Sequence, residues 1–443
     1  MIRLTRLNEP NLQPDYARLV IRPFVPTAER IRAIIDRVAV LGSDEIHREL
    51  EQVIGEFSAD HGDLVERIKE HYKLAAKLLG ASEEQLPAEC LTQLSAEARL
   101  LAGAYFTSEY AFEATALFNP SIIRSPVQIN ADSLHPAELH AAGSPAAPLR
   151  FILSARSVGE GHVSSISFRT GEIDTAGKIR IDPVRKTVVR GKRVSGKGTE
   201  EICFRKETPL SERLLFPVSR DEQNGMEDAR FVRFVKDDGT ICYYATYTAY
   251  DGKNIAPKMI ETTDFLNFKM RKLSGSMALN KGMALFPRKI KGRYAMLSRV
   301  DGESLFVMFS ADLRVWNSAE KIAAPLFPWE FMQIGNCGSP MELDEGWLVL
   351  THGVGSLRRY SIGALLLDKD DPAKVIGRLA EPLISPGPRE RTGYVPNVVY
   401  TCGSIIHEGR LVIPYGSADF SIAFITIDLA ELIDGLLRAD SSI

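Results

Sequence analysis

Up to about residue 110, apolar side chains recur at three- and four-residue spacing, the period of one face of an α-helix. Thr27 precedes Ala28-Glu29-Arg30, and Ile31, Ile34, Ile35 and Val38 follow on a common face. A second stretch carries Ile46, Leu50, Val53, Ile54 and Phe57. A third carries Leu64, Ile68, Tyr72, Ala75 and Leu79 and is expected to end at Gly80. The spacing predicts a helical extension over residues 1–110. Helices this short need a surface to pack on, so a packing or self-association module is expected.

From about Phe151 the pattern changes to short β-branched and aromatic runs interrupted by turns. Arg230–Phe234 leads through Asp238-Gly239 to Ile241–Tyr247, and Met283–Pro287 leads through Lys291-Gly292 to Tyr294–Leu297. Pro340–Leu343 leads through Glu345-Gly346 to Trp347–Leu350, and Val398–Tyr400 leads through Glu408-Gly409 to Leu411–Tyr415. Each reads as strand, charged-residue-Gly turn, strand, which is a hairpin signal. The turn glycines at 239, 292, 346 and 409 are 53, 54 and 63 residues apart. A multi-strand unit of about that length suggests propeller blades. With Phe151–Ser154 opening an earlier unit, residues 111–443 are expected to form a mainly β, five-bladed propeller. A pair of β-sandwiches has the same strand content, but the even period disfavours it.

Composition adds limits. The chain has 443 residues, 45% of them apolar and 25% charged, with 54 Lys+Arg against 57 Asp+Glu and a net charge of −3. That is a globular mixture long enough for a large core and more than one domain. The near-neutral balance argues against nucleic acid as a partner. The basic run between Gly171 and Gly198 has no interleaved aromatics and reads as a solvated hairpin. No apolar run is long enough to span a membrane, and Met1–Pro10 lacks the apolar stretch of a secretory signal. The five cysteines (90, 203, 242, 337 and 402) are widely spaced without a CxxC pair, and no HExxH occurs. No metal site and no cofactor are expected, and the setting reads as cytoplasmic, with buried structural thiols. Gly159-Glu160-Gly161-His162 only superficially resembles a dinucleotide loop, because it lacks the third glycine and sits among strands.

In a propeller, polar residues that interrupt the inner strands converge on a central funnel. Those residues are Asn119, Arg156, the run Glu227-Asp228-Ala229-Arg230, Arg288, Arg299, Asn336, Thr351-His352-Gly353, Arg358-Arg359-Tyr360, Tyr394, Asn397 and Tyr415–Asp419. Acids at Asp228 and Asp419 open and close the later part of this set, with cations between them. A carboxylic acid among Arg and His donors suits protonation of a glycosidic bond and retention of an anion.

Gly225–Phe231, Ala284–Pro287 with Tyr294–Arg299, Gly346–Val354, Gly363–Asp368 through Asp371-Pro372 to Val375–Arg378, and Pro414–Asp419 together resemble glycoside hydrolase family 130, the inverting β-mannoside phosphorylases and β-mannosidases. The matches run in order over roughly residues 112–430 and leave the helical part outside. The resemblance implies a five-bladed propeller with Asp228, in an E-D-x-R motif, as general acid. Its proton would reach the glycosidic oxygen through a hydroxyl of the bound mannose. It implies that Asn119, Arg156, Arg230 and Asp419 hold the sugar. It also implies that Arg299 and His352 bind phosphate, with Arg288, Arg358 and Tyr360 as further candidates.

Phosphorolysis to mannose 1-phosphate needs one protein acid, since phosphate is the nucleophile and the co-substrate. The phosphorylases commonly carry a Lys before the Ile-Gly of the fourth-blade motif, where this chain has Gln333. The alternative is an inverting β-mannosidase using water, with Glu303 or Glu330 as general base. A non-catalytic sugar-binding propeller is a third reading, disfavoured because the acid is retained. The expected partners are a β-mannoside oligosaccharide, phosphate and, through the helices, further copies of the chain.

Overall fold

A computed structural model describes residues 2–79, 94–128, 147–196 and 199–439. They fall into two compact units. One takes in residues up to Asp15, Glu113–Val184 and Gly191 onward, and the other is Tyr16–Phe112 with Arg185–Arg190.

The second unit contains the expected helices α1 (Ala28–Ala39), α2 (Ser43–Phe57) and α3 (Leu64–Leu78), together with α4 (Ala96–Tyr105). Ile31, Ile35 and Val38 of α1, Ile46 of α2 and Ala75 of α3 are buried against Ala98, Leu101 and Ala102 of α4. The periodicity of the apolar positions thus becomes one shared core. Ser95 caps α4 by accepting a hydrogen bond from Ala98 N at 3.1 Å. Gly103 is where α4 meets α3, because a Cβ there would lie 2.4 Å from the Ile68 carbonyl oxygen. Gly80 and Cys90 lie outside the described residues. The strand Leu19–Pro23, which helical spacing does not announce, pairs antiparallel with Thr107–Ala111.

The first unit is mainly β. Its strands follow one another as antiparallel meanders. Ala116–Arg124, Leu149–Val158 and Ser164–Ile173 pair in order, and so do Gly225–Val235, Ile241–Tyr250, Ile255–Thr262 and Asn267–Lys272. A single parallel pairing, Gly225 with Ser164, merges these two meanders into one twelve-stranded sheet. A four-stranded sheet holds Tyr294–Ser298 and Leu305–Ser310, and a five-stranded sheet holds Gln333–Asn336, Trp347–Val354 and Tyr360–Leu367. In the final sheet Arg410–Ser417 and Ser421–Asp428 are joined by the strand Leu4–Arg6, with Leu4 opposite Ile427. The expected helical stretch 1–110 therefore gives its first strand to the last sheet. Three residues are too few for any periodicity to show. The described residues end with helix α5 (Leu429–Ala439).

Each large apolar cluster is shared by two successive sheets. Phe234 and Tyr244 meet Leu285 and Met296, Leu297 meets Trp347 and Val349, and Leu350 and Ile362 meet Leu411 and Ile413. One further cluster joins the last sheet back to the first, with Val412 and Phe424 packed on Leu117 and Leu153. The basic run is not one solvated hairpin, since only its Lys192 and Arg193 lie in the hairpin formed by Lys192–Gly196 and Thr199–Cys203. Arg180 pairs with Glu172 in another strand pair, Arg185–Arg190 belongs to the second unit with Arg190 half-buried, and Lys197 lies outside the described residues. The sheets also share a recurring latch. Glu222, Glu330 and Glu390, all fully buried on short 3-10 turns, accept backbone N–H from three or four residues back. Glu222 and Glu330 take two such groups each and Glu390 takes that of Gly387, and each carboxylate takes a cation from a strand of the adjoining sheet. Those cations are Lys258, Arg378 and Arg6.

Candidate active site

Two β-bulges build the centre of the site. The pairing register shifts between Phe118 and Ser121 on one strand and between Glu227 and Arg230 on the next. Asn119 and Asp228 occupy these breaks with φ of 47° and 52°. Asn and Asp tolerate that left-handed conformation better than most residues, and a bulge re-aims the side chain it carries. The two side chains meet, and Asn119 Nδ2 donates to Asp228 Oδ1 at 2.7 Å. Arg156 extends from the neighbouring strand and donates to Asp228 Oδ1 at 3.4 Å and to Glu227 Oε1 at 2.7 Å. Lys281 holds the other Glu227 oxygen at 2.6 Å.

Burial pushes the Asp228 carboxyl up, but Arg156 and Arg230, with the Asn119 hydrogen bond and Lys281, outweigh it and hold the group below the usual carboxylate range. Asp419, on the turn between the last two strands, has φ 48° and a buried Oδ1 with no hydrogen-bond partner. Burial first, and the charge of Asp228 second, push its pKa up to about 7 against the opposing charges of Arg156 and Arg358. In an unfolded chain an Asp titrates near ~3.9. The folded protein thus binds this proton more tightly, a contribution to stability present below about pH 4 and lost as the pH rises towards 7. Asp419→Asn is therefore expected to stabilise the protein increasingly between those limits, read as urea midpoints near each end. Parallel pH profiles for the two proteins would contradict this.

Arg230 is buried, and its guanidinium is committed to protein partners: the Cys337 carbonyl at 2.8 Å, the Asp228 carbonyl at 2.9 Å and the Tyr400 hydroxyl at 2.7 Å. It fixes the backbone of the acid instead of reaching into open space. The Tyr400 ring lies 5.0 Å from that of His352, which stacks on Tyr360 at 6.1 Å. Arg299 Nη1 lies 3.0 Å from His352 Nε2, and Gln333 Nε2 lies 3.4 Å from the same atom. Burial, then the charges of Arg299 and Arg230, hold His352 well below its ordinary pKa. A neutral ring accepting from Arg299 at Nε2 carries its proton on Nδ1. That Nδ1 is buried without a partner, as are Nε of Arg156 and Arg299, Oδ1 of Asn119 and both amide atoms of Asn336. Buried polar groups are nearly always satisfied, so a cluster of orphans marks a place for a polar ligand.

The remaining expected residues lie elsewhere or play other parts. Arg358 is exposed, within electrostatic reach of Asp419. Arg288 is not brought to this centre: it holds Glu342 through two bonds of 2.8 and 2.6 Å, rests on Trp347 and lines a separate cavity. Glu303 is an exposed turn residue. Glu330 is one of the buried latches, with Oε1 taken up by Leu326 N, Phe327 N and Arg378. Residues that the spacing did not single out include Lys281 and His162, whose Nδ1 lies 2.8 Å from the Tyr394 hydroxyl. The Gly159–His162 loop thus lies against Tyr394, one of the expected polar residues. Among the described residues no group of three or more His, Cys, Asp or Glu side chains is arranged to hold a metal ion.

The glycoside hydrolase family 130 model, described as β-1,4-mannooligosaccharide phosphorylase, matches residues 197–438. The chain belongs to glycoside hydrolase family 130. Within family 130 it is 33% identical over 218 residues to a 1,2-β-oligomannan phosphorylase of Thermoanaerobacter sp. (strain X514), covering 48% of this chain and 72% of that one. It is 38% identical over 181 residues to a β-1,4-mannooligosaccharide phosphorylase of Ruminococcus albus and 31% identical over 232 residues to a β-1,2-mannobiose phosphorylase of Listeria innocua. Those matches cover 38% and 50% of this chain and only 54% and 63% of the two relatives. The fold is similar to the solved Listeria innocua β-1,2-mannobiose phosphorylase, with TM-score 0.51 at 20% identity over 73% of this chain and 92% of that one. A Bacteroides ovatus glycosyl hydrolase is equally similar, with TM-score 0.51 at 18% identity over 72% and 86% of the two chains.

Proposed function

We propose that this family 130 chain cleaves β-mannosidic bonds by phosphorolysis, with inversion, on a five-bladed propeller. The meanders, and the apolar clusters that tie each sheet to the next and the last to the first, support the blade count. One observation carries the chemistry. A single acid, Asp228, is gripped by Asn119 and Arg156 on one side and joined through Arg230 and Tyr400 to the Arg299/His352 group on the other.

In this reading Asn119, Arg156 and Asp419 hold the mannosyl unit, and Arg299, His352 Nδ1 and Arg358 receive phosphate, with Tyr360 backing the imidazole. Phosphate oxygen attacks C1 from the face opposite the leaving oxygen. The C1–O bond breaks as the proton held by the Asp228/Asp419 pair reaches that oxygen, by way of a mannose hydroxyl, giving α-mannose 1-phosphate and the shortened mannoside. Arrival of the phosphate anion raises the affinity of the carboxyl pair for that proton, which brings Asp228 into its acid form when it is needed. Arg230 positions the acid instead of touching the sugar. The four free cysteines among the described residues fit a cytoplasmic setting. Exposed Val40, Leu78 and Tyr105 of the helical unit fit self-association.

The test is turnover of a panel of β-mannobioses with and without inorganic phosphate, following mannose 1-phosphate and free mannose separately. Phosphate-dependent mannose 1-phosphate is expected. Arg299→Ala should raise the KM for phosphate by about tenfold or more, the worth of one charged hydrogen bond, and leave the KM for mannobiose nearly unchanged. Free mannose formed at a rate indifferent to phosphate would replace phosphorolysis with hydrolysis and turn attention to Glu303.

A further inference from the structure

The two strands that carry Asn119 and Asp228 run on to a second polar feature. Arg124 lies five residues beyond Asn119 on the first strand, and Arg233 lies five residues beyond Asp228 on the second. At about 3.3 Å per residue, that places both guanidinium-bearing residues roughly 15 Å from the acid, at the other end of the same strands. The strands are tied side by side between the two features, where Phe231 N donates to Ser121 Oγ at 3.1 Å.

Both arginines line a cavity of about 430 Å³. Its walls are apolar, with Ile123, Phe231, Val235 and Ile405 among them, and a volume of this order suits a small organic ligand. Arg124 is part-buried, and burial first and the charge of Arg233 second push its pKa down. Two cations held together in a sheltered place, with no carboxylate among the described residues ion-paired to either, are an unfavourable arrangement that an anion would relieve. The one carboxylate in the cavity, Glu342, is already neutralised by the two-bonded Arg288, itself stacked on Trp347. Tyr243, directly across the strand pair from Arg233, is hydrogen-bonded to it and orients its guanidinium without neutralising it. Ser339 adds a buried hydroxyl oxygen with no partner.

We propose that this cavity is a second anion site, separate from the Asp228 centre, and that it binds a small organic phosphomonoester. The phosphate sits between Arg124 and Arg233, within reach of Ser339, and the organic part lies on the apolar wall. Paired guanidinium groups match a phosphate dianion in charge and in donor geometry. The apolar lining distinguishes an ester from free phosphate.

The test uses the full chain with phenyl phosphate as probe, titrated calorimetrically. In an Arg299→Ala background, which weakens phosphate binding at the Asp228 centre, phenyl phosphate is expected to bind still. Adding Arg124→Gln and Arg233→Gln should weaken that binding by at least about tenfold, as loss of charged hydrogen bonds dictates. The same pair of substitutions in the otherwise native chain should leave mannobiose phosphorolysis within about twofold, since both residues lie roughly 15 Å from the acid. Without anion, the double variant should melt no lower than the native chain, because it removes a repulsion. The Arg124→Lys/Arg233→Lys chain keeps both charges and should retain the probe. No binding in the Arg299→Ala background, or binding that the Gln variants retain, overturns the site. Inorganic phosphate bound as tightly as phenyl phosphate overturns the assignment to an ester. A chain that binds phenyl phosphate in this way yet turns over no β-mannoside would keep the site and dispose of the proposed reaction.

Discussion

Asp228→Asn is expected to lower kcat for β-mannobiose phosphorolysis by about 10²–10⁴-fold, the contribution typical of a positioned general acid. The amide keeps the size of the side chain and can accept from Asn119 through its oxygen, so the bulge and its φ of 52° should survive, while the melting temperature should fall because the charge that Arg156 and Arg230 stabilise is gone. The loss should shrink for an aryl β-mannoside with an acidic phenol, because that leaving group departs without a proton. The KM for phosphate should hold or fall, since the variant lacks the negative charge that phosphate binding works against. A variant with wild-type turnover of β-mannobiose would remove Asp228 from the reaction altogether. Equal losses on the disaccharide and the aryl mannoside would make the side chain a structural or sugar-holding group instead of an acid.

Glu330→Ala should act on the fold and not on the chemistry. The carboxylate is fully buried, caps the turn through Leu326 N and Phe327 N, and neutralises Arg378 from the outer part of the same sheet. Removing one partner of a buried ion pair leaves the other charged and dry, at a cost of about 3–5 kcal/mol. The expected readout is a lower urea midpoint with the kcat of the remaining folded protein near the native value. A water-activating base would behave in the opposite way, losing turnover at unchanged stability. Glu222 with Lys258 and Glu390 with Arg6 occupy comparable places in other sheets, which is why a role in the fold is the better account of Glu330.

Much of this was legible in the sequence because the signals were local. The turn glycines 239, 292, 346 and 409 all have positive φ, as a tight turn after a charged residue requires. Asn119, Arg156, Asp228, Asp419, Arg299 and His352 interrupt apolar runs, and buried strands tolerate polar residues mainly where those residues have work at a shared mouth. The same reasoning misplaced Arg288. A strand has two ends, and an interruption of its apolar pattern does not say which end it serves. Glu330 lies near site residues in the sequence, but its carboxylate is enclosed by Leu326, Phe327 and Arg378. Arg230 stands in the same motif as the acid, yet its guanidinium is spent on partners as far off in the chain as Tyr400. Lys281 reaches Glu227 across 54 residues with no periodicity to announce it.

The strand Leu4–Arg6 pairs with residues 425–427, and Arg6 also bonds Glu390, the Ser385 carbonyl and the Tyr415 hydroxyl. The earliest-made piece of the β unit is thus the last to find its place. During synthesis it must wait for its partner until residues 425–427 have been made. Contacts this distant in sequence slow folding and leave strand edges open in the meantime. Once shut, though, the seam holds two stretches about 420 residues apart in each other's grip, so neither Leu4–Arg6 nor Ser421–Asp428 can peel away without unzipping the other.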